Sequence, residues 1–98
     1  MPIKIYSSKT FDEIAYLSEN NWDLPKQVDD LDKWLNKTGK TIKKGKYVAD
    51  IGFDIRNDAC GGGAVLNSKM IKILSEIGME IYLSEYPNAE ICNLKSAI

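Results

Sequence analysis

Histidine is absent from this chain, and arginine occurs once, at Arg56. The first absence removes the commonest general base, the commonest zinc ligand and the usual partner of a catalytic serine or cysteine. The second leaves a single candidate for bidentate phosphate recognition. Cysteine is scarce as well: Cys60 and Cys92 are too few for the usual structural zinc patterns and read as free thiols rather than as a bridge. No apolar run approaches the roughly 20 residues that span a bilayer, and the opening MPIKIYSS has no long apolar signal core. The chain is therefore expected in the cytoplasm, without a membrane partner. Together these lacks move the weight from catalysis to binding, with no catalytic residues, no cofactor and no metal expected.

What remains is an ordinary folding composition, 44% apolar and 28% charged over 98 residues, which fits one domain, 1–98. The most legible stretch runs from Tyr47 to Tyr86. Tyr47, Ala49, Ile51, Phe53 and Ile55 alternate with Val48, Asp50, Gly52, Asp54 and Arg56, the period of a strand. Leu66, Met70, Ile73, Leu74 and Ile77 then recur at helical spacing from a cap at Asn67 or Ser68. Gly78 stops that helix, and Met79, Ile81 and Leu83 alternate again.

Upstream, Ile3 and Ile5 predict a short strand. Thr10 and Glu13 stand at capping-box spacing, and Phe11, Ile14, Ala15 and Leu17 predict a helix to about Ser18. Leu24, Val28, Leu31 and Leu35, after Pro25, predict a second helix ending near Lys37 with Gly39 as a left-handed cap. Residues 40–45 read as a mobile basic loop, or as the start of a hairpin at Thr41-Ile42. The tail from Ala89 to Ile98 fits a strand or a short helix equally. The expectation is an α+β domain, a small mixed sheet with helices on one face, in the order β-α-α-β-α-β. The strands at Tyr47 and Met79, if parallel neighbours, are joined by a right-handed crossover.

Net charge is −1, but the charges are segregated. Asp12, Glu13, Glu19, Asp23, Asp29, Asp30 and Asp32 face only Lys26, whereas residues 33–46 hold six lysines and no acid. Such blocks can steer a charged partner, although a solvated acidic helix followed by a lysine-rich loop also explains them. Residues 33–46 alone suggest nucleic acid, as the alternative of an accessory binder, but they hold no arginine to read bases and the whole chain is slightly acidic, so a nucleic-acid partner is not expected.

The loop 57–63 (NDACGGG) matches neither glycine-rich phosphate motif and reads as a connection needing positive φ. Asp50, Asp54 and Asp58 could together hold a hard cation, but solvent-facing positions on an amphipathic strand explain the first two. Cys60 has no histidine to activate it. Trp34 beside the helix stripe reads as core, while Tyr82 is a candidate interface anchor.

The segment LNSKMIKILSEIGMEIYLSEY (66–86) resembles the closing module of a small bacterial domain family of unknown function. In that family a glycine-containing stretch leads to a helix L-S-x-x-L-x-x-L-x-x-L-G and then a strand ending in D-I-Y. Leu66, Met70, Ile73, Ile77, Gly78 and Tyr82 stand at comparable positions, and the Trp34-Leu35 helix and Tyr47 strand continue the likeness over about half the chain. The chain lacks the longer N-terminal half of that family. In size, acidity and want of catalytic residues it also resembles, in type though not in motif, the immunity proteins of bacterial polymorphic-toxin and contact-dependent inhibition systems. That resemblance implies a non-enzymatic protein that binds one toxin domain, a nuclease in many cases, and blocks its active site. The acids available for a basic cleft are Asp29, Asp30 and Asp32 on the second helix, or Asp50, Asp54 and Asp58, with Tyr82 nearby. The second group is preferred, because a sheet face and a loop form a shaped surface. The rival from another class is a small enzyme or ligand module using the loop 57–63 and Asp54.

Overall fold

An amphipathic strand with partners on both edges organises the molecule: β3 (Tyr47–Asp54). A computed structural model describes residues 2–55 and 60–86. Its sheet has four strands, β1 (Ile3–Ser7), β2 (Glu13–Leu17), β3 and β4 (Met79–Tyr86), in the order β2-β1-β3-β4. β1 is antiparallel to both β2 and β3, whereas β3 and β4 are parallel neighbours on either side of helix α2 (Ser68–Ile77) in sequence. With α1 (Leu24–Lys37) this is an α+β fold, a mixed sheet with helices on one face. Ile3, Ile5, Ala49 and Ile51 from the sheet bury against Leu31 and Leu35 of α1 and Met70 and Ile77 of α2. Burying each of these side chains except Ala49 is worth about 1.5–3 kcal/mol.

One element differs from expectation. Residues 10–17 do not form a helix but complete a β1–β2 hairpin, so the order is β-β-α-β-α-β. The local polar groups explain it. Ser7 Oγ accepts from the backbone N–H groups of Lys9 and Thr10, and Thr10 Oγ1 accepts from that of Asp12. These bonds close a turn and compete with a helical start. A helix of about eight residues is marginal alone, whereas β1 offers a ready partner.

Helix α1 starts as its residues predict, with Asp23 as N-cap and Pro25 in the first turn. Its end does not: Gly39 takes no left-handed conformation but opens a 3-10 turn, Gly39–Thr41. That turn also replaces the hairpin start at Thr41-Ile42. Gly39 is needed for space, since a Cβ there would lie 2.8 Å from the Trp34 ring and 2.9 Å from Leu35. Trp34 itself packs half-buried against the core. Helix α2 is capped by Asn67, whose side chain accepts from the Met70 N–H, and ends on Gly78 at φ 79°. Leu66 precedes the helix and is 40% exposed.

The lysine-rich stretch 40–46 is held rather than loose. Gly45 N–H donates to the Ile77 carbonyl (3.0 Å), and Tyr47 N–H to that of Gly78 (3.0 Å). Ser8 donates twice to the Lys46 carbonyl, from N–H (2.9 Å) and Oγ (3.2 Å), and the Tyr47 hydroxyl donates to the Lys43 carbonyl. At the opposite end β3 outlasts β1. There the Asp54 N–H donates to the Trp22 carbonyl (3.0 Å), so the chain before α1 stands in for a strand. Gln27, 0% exposed, locks this arrangement by donating from Nε2 to the carbonyls of Asn21 and Gly52, both at 2.7 Å.

Candidate functional site

With both helices on one side, the sheet's other face is left open among the described residues. Register fixes what stands there. Lys4 lies between Tyr16 of β2 and Asp50 of β3, Asp50 lies beside Tyr82 of β4, and Tyr6 lies beside Val48. A bulge between Ile5 and Tyr6 shifts the β2 register and sets Glu13 opposite Tyr6. Val48 is 1% exposed although it is outside the core cluster, so the side chains of this face bury one another.

The face combines rings with carboxylates. Tyr16 and Tyr82 are each about half exposed. Lys4 Nζ sits 5.6 Å from the Tyr6 ring centroid, in cation–π range. The Tyr6 ring stacks on Phe11 at 6.5 Å, and Ser84 Oγ donates to Asp50 Oδ1 at 2.7 Å. Desolvation, then the charges of Asp50 and Tyr82, raise the Tyr6 phenol above its ordinary value. A hydrogen bond with Glu13 chiefly raises that of Tyr16. Both therefore remain neutral hydrogen-bond donors at neutral pH. Phe11 is 75% exposed at φ 62° on the hairpin tip, a sparsely populated conformation for a bulky residue.

At the far rim Trp22 meets Tyr86 edge to face at 5.4 Å, and Asp54 lines a depression with Asn20, Asn21 and Trp22. Asp54 Oδ1 is buried there with no hydrogen-bond partner. Asp50 and Asp54 are four residues apart on one strand, about 13 Å at strand rise, too far to share one cation. Among the described residues no group of three metal-ligating side chains exists. Asp58 lies outside the described residues, as do residues 57–59 of the glycine loop and Cys92. Gly61, Gly62 and Gly63 all take positive φ, and the helix begins only at Ser68. Cys60 is a free, exposed thiol. No described helix is long and apolar enough to cross a membrane.

Of the residues singled out from sequence, Asp50, Asp54 and Tyr82 thus share the open face. Asp29, Asp30 and Asp32 belong to the helical layer, and each has local partners. Asp29 bridges Lys26 and Lys33, and Asp32 accepts from Asn36 and Asn67. Asp30 accepts from the Ser18 hydroxyl and pairs with Lys26 at 3.3 Å. Tyr6, Tyr16 and Phe11 were not singled out, because reading residues 10–17 as a helix hid their common face. The alternation of Ile3 and Ile5 against Lys4 and Tyr6 was the available signal.

No family model, curated protein or solved structure matches this chain.

The Asp30 contact has a measurable consequence. Ser18 turns the chain out of β2 at φ 52°, and its hydroxyl holds the Asp30 carboxyl below the ordinary carboxylate range, aided by Lys26. A depressed folded-state pKa stabilises above the unfolded value near 4, and that stability is lost as pH falls through the folded value. Asp30→Ala is expected to cost about 1–2 kcal/mol at pH 7. The gap between the urea midpoints of wild type and variant should be smaller at pH 3 than at pH 7. An equal gap at both pH values would mean that the contribution is not the charged carboxylate's.

Proposed function

We propose that this chain is a non-enzymatic inhibitor, an immunity-type protein that acts in the bacterial cytoplasm by blocking the active site of a cytotoxic nuclease domain. The observation that carries this reading is the open sheet face, where exposed tyrosines stand beside Asp50, with Asp54 toward the rim. A nuclease cleft is basic and accepts phosphates and bases. Carboxylates take the place of phosphates, and neutral tyrosine rings supply rigid apolar area with hydrogen-bonding tips, the residue type that anchors interfaces. The lack of histidine, the commonest general base, supports inhibition over catalysis.

The test begins with the flanking reading frames. A toxic nuclease domain encoded there is co-expressed with this chain, and growth and complex formation are measured. Rescue by wild type is expected. Asp50→Asn combined with Tyr82→Ala should slow association and flatten its salt dependence, because charge complementarity acts chiefly on the on-rate. A flanking toxin that this chain fails to neutralise would refute inhibition. Rescue with unchanged on-rates in the variant would instead move the contact to another surface.

A further inference from the structure

The basic end of the molecule is a second surface, independent of the inhibitor reading. Hydrogen bonds from Ser8 to the Lys46 carbonyl bring the β1–β2 hairpin tip against the lysine-rich loop. Lys9 thereby joins Lys40, Lys43, Lys44 and Lys46, which lie more than thirty residues away in sequence. All five side chains are exposed, and none forms an ion pair with a described carboxylate. Lys33, by contrast, is paired with Asp29 on α1 and does not belong to the cluster.

Two further observations separate this end from an ordinary solvated lysine loop. Its backbone is fixed by bonds from Ser8, Gly45 and Tyr47 to the hairpin, the end of α2 and the loop itself, so the ammonium groups start from a shared, rigid base. Beside them on the same tip stands Phe11, 75% exposed. Its ring is held by stacking on Tyr6, 6.5 Å away. Fixed cations beside an exposed ring are the combination by which single strands bind without base readout, phosphates on the lysines and a base on the ring. An interfacial membrane site calls instead for a broad apolar face, and Phe11 is the one strongly exposed large apolar side chain at this tip among the described residues.

We propose that this end binds the phosphate backbone of single-stranded nucleic acid through Lys9, Lys40, Lys43, Lys44 and Lys46, with Phe11 as a base-stacking ring.

Fluorescence anisotropy of a labelled 15-mer of deoxythymidine or uridine, titrated with the full chain over a range of salt, tests it. Three to five phosphate contacts give a slope of log affinity against log salt of roughly −2 to −3.5. The triple variant Lys43→Ala, Lys44→Ala, Lys46→Ala should reduce that slope by about 2. The control Lys69→Ala, Lys72→Ala, which removes two lysines of α2, should retain at least most of the slope. Phe11→Asn, which tolerates the left-handed backbone, should weaken binding about fivefold or more at unchanged slope. Thermal melts confirm that the variants are folded. No anisotropy change at about 50 mM salt, or a slope indifferent to the three lysines, overturns the proposal. So does binding to polyglutamate or to phosphatidylserine vesicles as tight as to the oligonucleotide.

Discussion

Gly78→Val is expected to destabilise the protein by roughly 3–5 kcal/mol, combining 1–3 for a β-branched residue at positive φ with lost hydrogen bonds at about 1 each. Gly78 sits at φ 79°, and a Cβ on it would fall 2.0 Å from the Gly45 carbonyl oxygen. That oxygen is backbone, so the clash is relieved only by moving the loop. The bonds from Gly45 to Ile77 and from Tyr47 to Gly78 would be strained or broken. Total stabilities of about 5–15 kcal/mol make this a large fraction. Urea melts of the variant measure it, and Gly78→Ala should show most of the effect, since the clash begins at Cβ. Wild-type stability in either variant would mean that loop 40–46 does not pack against the helix end as described.

The second large effect is expected from Gln27→Glu. The Gln27 amide donates to two carbonyls in a site with 0% exposure. A carboxylate there would set negative oxygens against carbonyl oxygens with no water to separate them. Burial raises a carboxyl pKa by up to 3–5 units, and stability falls by 1.36 kcal/mol for each pH unit between the unfolded and folded values, so up to about 4 kcal/mol is lost by neutral pH. The sign follows from the raised folded-state value. The variant is most stable below the unfolded pKa near 4, where its protonated acid still donates one hydrogen bond, and it weakens as pH rises through the folded value. Melts at pH 4 and pH 8 test this. A variant equally stable at both would show that the site admits water.

The path from β3 through α2 to β4 was readable because three signals agree there: period two, then a capped period of 3.6, then a glycine stop. The first twenty residues misled because Phe11, Ile14, Ala15 and Leu17 fit a helical stripe and a strand about equally. The deciding bonds, from Ser7 and Thr10 to nearby N–H groups, leave no periodic trace. Gly39 was misassigned for a different reason. Glycine follows helices both for positive φ and for clearance, and only the position of the Trp34 ring separates the two. The open face was half visible: β3 displays Asp50 and Asp54 by alternation alone, but their tyrosine neighbours come from strands paired across the sheet. Lys9 could not be joined to the later lysines without the Ser8–Lys46 contacts.

The edge strand β2 gives the core only Ala15 and Leu17, both partly buried, while Ile14 and Tyr16 face solvent. β3, by comparison, is bonded on both edges and buried at Val48, Ala49 and Ile51. Amide protons of β3 should therefore exchange with deuterium only when the whole domain opens, and those of β2 should exchange sooner, through a local excursion. A ligand seated on the tyrosine face would be felt first in the slow-down of that faster clock.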